Sequence, residues 1–515
     1  MRLWNARRGA VLVAIISLAA LALPAGAAPP TTTVGSPSVP GTSKGFQLVG
    51  HTDLGNRGMN SPVAVAGRCS YVGDREYERT RPNAGVAVID IANPRAPRQV
   101  GVIPARARIT QRELRADVGL GLLLVLDYSP FIGGASATPG ASGNDLQIYD
   151  IASDCRRPKL LSTYDFGART PHEFFLWKDP KKPGRALAYV ATTIYGPDLT
   201  VLDLSNPTAP KLLTTYDLVA DQAFKAQDFP TKSGSGYLHS LAISDDGTRA
   251  YMGTWDYGTY VADTSGLADP NGVPVVRPLG PGRLDYGANV HGTVPLHGRP
   301  YGVMVQEDYA NAGNGCPFGH LRMADLTDPA NPTLAGGYRL PENDCAKARA
   351  ANGTFTAHNQ TAFRNVALLT WYAGGLRAVD VSDPNRPVET GVFVPKRADA
   401  PAFRDERLFF TGLPRDTRRT GAMWSYPVVQ DGLIYVVDID RGLFILRYTG
   451  KHAAEVAQAG FVEGNSSPGR WTRNSPVVRR PASAAAAISA LRAPVVVRDT
   501  VPLRSRGGKA LSFLC

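Results

Sequence analysis

Short runs of alternating apolar and polar residues recur between residues 45 and 450, in pairs joined by polar turns. The second pair of each set is the most regular, with a strand-like run that ends in Asp, a Pro-rich turn and another run. These segments span 85–103, 146–166, 199–218, 259–279 (diverged), 321–340 and 376–394. A two-residue hydrophobic alternation predicts half-buried β-strands. Each repeat of about 55 to 60 residues therefore predicts a four-stranded antiparallel unit.

A four-stranded unit of this kind cannot bury both of its faces alone, whereas a radial array of such units can. Six full copies are followed by a seventh at 422–448, which lacks its outer strand, and residues 45–55 resemble the outer strands of the other copies. The sequence therefore predicts an all-β fold, a seven-bladed β-propeller closed by an N-terminal strand that leaves no exposed sheet edge. The Asp at the end of each repeated strand is expected to hold the turn that follows it.

The recurring pattern strand-Asp-(Ser/Ala/Thr)-(Asn/Asp)-Pro, as in LTVLDLSNPTAP from residue 199, resembles the LVIVD-repeat proteins. These are exported or cell-surface bacterial β-propellers. The resemblance covers residues 45–450 and implies a propeller fold, but it implies no particular reaction.

The segments outside the repeats suggest an exported protein. Residues 1–27 have the charged start, apolar stretch and small-residue cleavage site of a signal peptide. Residues 28–44 are predicted to form a flexible leader, and 451–515 a basic, low-complexity tail. We expect a secreted monomer without a transmembrane segment in its mature form, acting on a small molecule or an extracellular protein or polymer.

The net charge of +12 does not indicate nucleic-acid binding. Most of the excess lies in the signal and in the tail, so the repeat region is close to neutral and offers no basic stripe. The five cysteines are compatible with disulfides in an exported chain. Cys69–Cys155 and Cys316–Cys345 are the candidate pairs, which leaves Cys515 over.

Half of the eight histidines occupy one position of the repeat, about fourteen residues before the end of the second strand and just before the first. They are His172, His239, His291 and His358, and the same alignment places Glu113 at this position in the second copy. Equivalent positions of a closed repeat array face one another across its axis. Imidazoles with a carboxylate suit a divalent transition metal such as iron, copper, manganese or zinc. The alternative is that duplication copied one structural histidine that pins a loop.

We therefore predict a histidine-ring metal site at the mouth of the propeller channel, with Glu113 as a further ligand or an acid/base. Glu173, Asp256, Glu307 and Asp308 are candidates for the surrounding carboxylates. Four-histidine centres on propeller axes occur in carotenoid-cleaving oxygenases, and histidine-bound metal is implied for selenium-binding-type methanethiol oxidases. The similarity is confined to the ring, and it suggests a metal-dependent oxidase or oxygenase-like enzyme. The alternative function is a non-catalytic extracellular interaction propeller that uses an aromatic rim.

Overall fold

The structure is a computed structural model, and it describes residues 31–75, 84–106, 109–129, 143–193, 197–218, 237–280, 284, 288–308, 317–351, 353–397, 422–469 and 495–498. The predicted signal peptide lies outside these residues, as does most of the predicted C-terminal tail.

Nearly all regular structure in the described residues is β-strand, which confirms the all-β prediction. In the first half of the chain the strands are β1 (Thr31–Val34), β2 (Ser43–Lys44), β3 (Phe46–Thr52), β4 (Asn60–Ala66), β5 (Cys69–Asp74), β6 (Gly85–Asp90), β7 (Arg98–Pro104), β8 (Thr110–Asp117), β9 (Leu122–Tyr128), β10 (Asp145–Asp150), β11 (Lys159–Asp165), β12 (Thr170–Lys178), β13 (Ala186–Thr193), β14 (Leu199–Asp203), β15 (Lys211–Tyr216), β16 (Ser240–Ile243) and β17 (Arg249–Gly253). In the second half they are β18 (Thr259–Asp263), β19 (Arg277–Pro278), β20 (Val290–Pro295), β21 (Tyr301–Gln306), β22 (Leu321–Asp325), β23 (Thr333–Arg339), β24 (Gln360–Ala362), β25 (Val366–Thr370), β26 (Leu376–Asp380), β27 (Val388–Phe393), β28 (Val428–Gln430), β29 (Leu433–Asp438), β30 (Gly442–Tyr448), β31 (Phe461–Glu463), β32 (Ser466–Gly469) and β33 (Val495–Arg498). The helices are α1 (Ser265–Ala268), the 3-10 helix Pro341–Asn343, α2 (Cys345–Ala351) and α3 (Ala453–Ala457).

The strands form the radial sheets of a β-propeller. Five sheets each contain one antiparallel meander of four consecutive strands, namely β4–β7, β8–β11, β16–β19, β20–β23 and β24–β27. Successive sheets pack face to face, with the first strand of one next to the first strand of the following one. The repeats predicted from the sequence therefore do form the units of a propeller.

The prediction of seven separate blades was wrong, because only five of the sheets in the described residues are separate blades. The strands of the remaining two predicted blades belong to a single ten-stranded sheet in the order β15-β14-β13-β12-β32-β31-β28-β29-β30-β3. Within this sheet the N-terminal strand β3 pairs with β30 in antiparallel register, with Phe46 opposite Tyr448 and Thr52 opposite Leu443. The hairpin β31–β32, which lies outside the repeats, joins β28 to β12.

Apolar clusters fill the spaces between neighbouring sheets. One cluster places Leu124 and Ile148 against Phe174 and Leu176, and another places Val303 and Met323 against Leu369. A third packs β4–β6 against β28–β30, with Val72 beside Tyr435. Burying both faces of every sheet removes apolar area from water, and this is the main favourable term for a fold of this kind.

The repeated Asp residues hold the turns, as the sequence indicated. Each accepts a backbone N–H two residues further along, as Asp203 does from Ser205 at 2.8 Å and Asp380 from Ser382 at 2.9 Å. The same bond is made by Asp90, Asp150, Asp263 and Asp325.

Two cysteine predictions fall on the described residues. Cys69 and Cys155 form a disulfide between β5 and the turn after β10, which links two neighbouring blades. Cys345 is also disulfide-bonded; Cys316, its predicted partner, lies outside the described residues. No helix in the described part of the chain has the length and apolarity to cross a membrane.

The ordered structure continues beyond Gly450, where the repeats end and a low-complexity tail was expected to begin. Asp380 anchors this continuation, because it accepts a hydrogen bond from Lys451 Nζ at 2.6 Å and lies 3.1 Å from His452 Nε2. Burial raises the pKa of Asp380, but the bonds from Lys451 and Ser382 and the nearby His452 outweigh it, and the pKa falls to about 2.

Asp380→Asn keeps a side-chain oxygen for the turn and removes the charge. A carboxylate with a lowered pKa adds stability above the pKa of the unfolded chain, near 3.9, and loses it as the pH falls through 2. We expect the parent to exceed the variant in unfolding free energy by about 1 kcal/mol above pH 4, after allowance for the solvent-exposed Lys451. Urea unfolding between pH 2 and 7 should show this difference shrink towards zero at the acid end.

Asp203→Asn is the matched control, since Asp203 makes the same turn bond and has no ion pair within the described residues. A pH dependence as large in the control as in Asp380→Asn would contradict the assignment to Lys451 and His452.

Candidate metal centre

The four histidines lie at the beginnings of the innermost strands, where neighbouring blades converge. His172 and His291 are in β12 and β20, His239 immediately precedes β16, and His358 lies two residues before β24. The register of β12 shifts between Pro171 and Phe174, and that of β20 between Val290 and Gly292. Such bulges re-aim side chains next to functional sites, and here they leave His172 and His291 out of the regular pairing.

The imidazoles follow one another around an arc. The ring centroids are 4.1 Å apart for His172 and His239, 4.3 Å for His239 and His291, and 4.3 Å for His291 and His358. All four side chains are buried, two of them with no exposed surface. The structure thus brings together the four residues that the repeat alignment singled out.

Two buried carboxylates complete the cluster. Glu173 Oε1 lies 3.2 Å from His291 Nε2, and Glu307 Oε1 lies 3.0 Å from His358 Nε2. Glu307 Oε2 is also 3.8 Å from His239 Nε2 and 3.9 Å from His291 Nε2. Two sets have ligand atoms within 4.8 Å of one another, Glu173–His239–His291 and His291–Glu307–His358. Asp256 and Asp308, also predicted as nearby carboxylates, are in neither set.

The hydrogen bonds of His358 fix where its lone pair points. Its Nδ1 lies 2.6 Å from the carbonyl oxygen of Trp424, which can only accept, so Nδ1 carries the proton. In the neutral ring Nε2 is then an acceptor, and it faces Glu307 Oε1 at 3.0 Å. Tyr372 donates its hydroxyl to the same Glu307 oxygen at 2.6 Å. Either a proton shared between these two atoms or a bound cation would satisfy this close approach.

The protonation equilibria agree with this geometry. Burial lowers the pKa of His239 and His358, which favours the neutral imidazole that binds metals. Burial also acts against charge on His291, but the carboxylate of Glu173 outweighs it and raises the pKa of this ring. His291 in turn holds the pKa of Glu173 below its usual value. The cluster therefore favours positive charge at the point where His291 meets Glu173.

Glu113, predicted to share the level of the histidines, lies elsewhere. The register of β8 shifts between Gln111 and Glu113, so Arg112 takes the bulge position that His172 occupies in β12. Arg112 Nη2 is 2.5 Å from His172 Nε2, whereas Glu113 Oε2 pairs with Arg115 Nη1 at 2.7 Å. The repeat alignment was one residue out, since Arg112 follows Thr110-Gln111 as His172 follows Thr170-Pro171, with the register shift at the same point of both strands.

Aromatic residues enclose the cluster. Trp255 stacks on His239 with ring centroids 4.6 Å apart, and Tyr372 meets His358 edge-on at 5.4 Å. Both follow the second strand of their sheet and have left-handed backbones, with φ of 50° for Trp255 and 35° for Tyr372. This conformation is costly for aromatic residues and tends to persist at functional sites. Trp424 also lies at the cluster, with its ring centroid 6.3 Å from that of His358.

The C-terminal hairpin β31–β32 lies between β28 and β12, the latter being the strand that carries His172. Asn465 O accepts hydrogen bonds from Leu176 N at 3.0 Å and from Arg115 Nε at 3.3 Å. Gly464 fits here because a Cβ would collide with Gln360 O and the ring of Tyr426. Tyr426 links the hairpin to the cluster, because its ring packs against Gly464 and its hydroxyl donates to Glu173 Oε2 at 3.1 Å. The hairpin thus packs against the strands that carry the cluster and joins two of them within one sheet.

Comparison with known proteins supports the repeat assignment. The LVIVD repeat profile matches residues 187–218, which confirms in this segment the resemblance inferred from the sequence. No curated protein matches the chain significantly in sequence. Among solved structures, the β-propeller domain of Cps50 (Swd1) from Myceliophteria thermophila is similar, with a TM-score of 0.43 and 10% identity over 78% of this chain and 97% of that one.

The tautomer of His358 can be tested in the metal-free protein. We expect a proton on Nδ1, because the Trp424 carbonyl accepts from it. ¹⁵N NMR of histidine-labelled protein would show this, with His358→Gln identifying the resonances by their disappearance. An unprotonated Nδ1 would contradict the proposed orientation of the Nε2 lone pair.

Proposed function

We propose that the protein binds one divalent transition metal ion through His239, His291 and His358 together with Glu173 and Glu307. The observation that carries the proposal is the approach of His358 Nε2 to Glu307 Oε1, two acceptor atoms 3.0 Å apart in a fully buried site. His172, the fourth imidazole of the predicted ring, adjoins this set, with its Nε2 2.8 Å from His239 Nε2.

The donor set and its spacing support a metal ion. Metal–nitrogen and metal–oxygen bonds of about 2.1 Å place neighbouring ligand atoms roughly 3.0 to 3.4 Å apart, and the closest approaches here are 3.0 and 3.2 Å. Imidazole and carboxylate together suit iron, copper, manganese or zinc. His239 Nδ1 and His291 Nδ1 make no hydrogen bond to the described residues, which is unusual for buried polar atoms.

We further propose a redox role, as a metal-dependent oxidase or oxygenase-like enzyme. A bound ion would supply Lewis-acid or electron-transfer chemistry. The chain's own residues would orient the ligands and exclude water: Tyr372 fixes Glu307, Tyr426 fixes Glu173, and Trp255 covers His239. Burial raises the pKa of Glu113, which suits its predicted role as an acid. The rival function is a non-catalytic interaction propeller.

Two further features belong to this proposal. We infer that β12–β15 and β28–β30 with β3 are two more blades bridged by the hairpin, which makes seven in total. The apolar packing of β4–β6 against β28–β30 supports closure of the ring at that point. We also infer export of the protein, which the signal-like residues 1–27 and the Cys69–Cys155 disulfide support.

Metal content tests the central proposal. Protein starting near Ala28 and purified without a metal-binding tag should contain close to one ion per chain by mass spectrometry. Replacing two ligands in His239→Ala/His291→Ala should remove it, because the remaining donors are too few to hold an ion in a buried site.

His297→Ala is the control, since His297 is partly exposed and lies 3.8 Å from Asp245, away from the cluster. The circular dichroism spectrum should show that the double variant still folds. A parent that holds no iron, copper, manganese or zinc even after reconstitution would overturn the metal proposal and leave the interaction propeller.

Ring closure by the N-terminal strand is tested by truncation. A chain beginning at residue 53 lacks β3 and exposes the edge of β30, whereas a chain beginning at residue 45 keeps it. We expect the shorter chain to melt about 10 °C lower, since several kcal/mol of apolar burial and strand pairing are lost. A peptide of residues 45–52 should restore part of the difference, and equal melting temperatures would contradict the closure.

A further inference from the structure

We propose that the outer edge of β15 is a docking site for an extended segment of a partner protein, made of β-branched residues followed by a basic residue. The segment would join the sheet as a further strand, parallel to β15, through backbone hydrogen bonds. The inference is independent of the metal centre, since β15 is the outermost strand of its meander and the histidine-bearing β12 is the innermost.

The chain already uses this kind of pairing on three other outer strands. β1 and β33 pair in parallel with β23 and β11, and β2 pairs with β27 in antiparallel register. β1 and β33 come from opposite ends of the chain, yet each has a residue opposite a tyrosine, Tyr338 and Tyr164 respectively. On their inner side these tyrosines are opposite Leu321 and Leu146, each four residues before the repeated Asp. The outer strands therefore accept extended segments at one level of the repeat, which we call the docking level.

β15 has the same sequence as β11 at the docking level. Residues 159–165 read KLLSTYD and residues 211–217 read KLLTTYD, so the two segments differ only in one Ser that is replaced by Thr. The registers also agree, because Tyr216 is opposite Leu199, which again lies four residues before the repeated Asp. An edge that differs from β11 by one methyl group should accept the same kind of segment.

The backbone of β15 directs hydrogen-bonding groups outward at the docking level. Leu218 N donates at 2.7 Å to the carboxylate of the residue before β14, so its N–H points to the inner side. Because the groups of successive residues in a strand alternate between the two sides, those of Thr215 and Asp217 point away from β14. The residue equivalent to Asp217 after β27 is Val394, and its N–H donates to Thr42 O of the N-terminal segment at 2.9 Å.

The outer side of β15 has room for a further strand. In the described part of the chain β15 ends its sheet, whereas β11 lies between β10 and β33. Leu161 and Asp165 of β11 are each 5% exposed. Their equivalents Leu213 and Asp217 are half-buried, so water reaches the positions that β33 covers on β11.

Two other outer strands contain a proline, which has no N–H to donate to an added strand. Pro104 of β7 lies at the docking level, since it is opposite Gly85 as Asp165 is opposite Asp145. Pro278 is one of the two residues of β19. β15 contains no proline, so it keeps every donor of its edge.

The nature of the occupant follows from the segments that dock elsewhere. β1 reads TTTV and β33 reads VVVR, and β-branched residues favour extended backbones. The register places Arg498 opposite Asp165, whose equivalent in β15 is Asp217. A basic residue at this point of the ligand would therefore face an opposite charge. The terminal strands of the described residues are already paired with other blades, which points to a separate protein as the source of the segment.

The test titrates a fluorescent peptide, APVVVRDT, which copies residues 493–500, into the full mature protein. Thr215→Pro removes an outward N–H from β15. Val102→Pro is the matched control, because Val102 takes the same position in β7, whose edge Pro104 already interrupts. Fluorescence anisotropy measures the affinity, and circular dichroism shows that each variant folds.

We expect the parent to bind one peptide per chain and Thr215→Pro to bind it about 10-fold more weakly, the effect of roughly one lost backbone hydrogen bond. Val102→Pro should equal the parent. The peptide APVVVEDT should bind the parent more weakly than APVVVRDT, and Asp217→Lys should reverse this order. The charge reversal tests the same edge without a proline in the strand.

The contrary outcomes are distinct. Equal affinities of the parent and Thr215→Pro, or an unchanged order of the two peptides in Asp217→Lys, would overturn the assignment to β15. Residues 476–479 read PVVR, and peptide binding that appears only in Val477→Asp/Val478→Asp would assign the edge to this chain and overturn the partner. A dimer of the parent that Thr215→Pro abolishes, seen by analytical ultracentrifugation, would instead assign it to a second copy.

Discussion

The need of every sheet to bury both faces is the constraint on which the structure depends. A twisted four-stranded sheet with two apolar faces is stable only between two neighbours, and repeating this arrangement around an axis provides both. The first strand of each unit then lies close to the axis. Residues at the start of these strands face one another although they are more than fifty residues apart in the chain. The histidine cluster follows from this packing rather than from any local motif.

The same packing buries the polar residues of the cluster, and burying them costs free energy. Side chains such as Glu307 and His291 have no exposed surface, so each charge there must be balanced by a partner. Two tyrosines, Tyr372 and Tyr426, each donate to one carboxylate and hold it towards the histidines. Trp255 and Tyr372, whose backbones are left-handed, pack against the histidines. Arg112 adds a permanent positive charge. Such an arrangement costs stability, and buried polar clusters that persist at such a cost are common at functional sites.

The sequence predicted the repeat units and the four clustered histidines because both depend on periodicity, which a single chain displays. It also indicated Glu173 and Glu307, but only as carboxylates near strand ends. The role of Glu113 stays a prediction, and the position in β8 that corresponds to His172 is held by Arg112, because the copies are too dissimilar for the repeat alone to fix the alignment to one residue. The hairpin β31–β32 was missed, since it contacts strands of other blades and no repeat encodes such contacts. Left-handed Trp255 and Tyr372 also escaped prediction, because nothing in their residue types indicates a positive φ.

The hairpin also determines the order in which the molecule can be completed. Asn465 meets Arg115 across 350 positions of the chain, so this contact must wait until almost the whole propeller has been made. As the chain is synthesised or translocated, its N-terminal parts emerge first and fold first. Until the hairpin has been made, β12 and β28 lack the neighbour that joins them, so this part of the ten-stranded sheet is completed only after most of the other strands are in place.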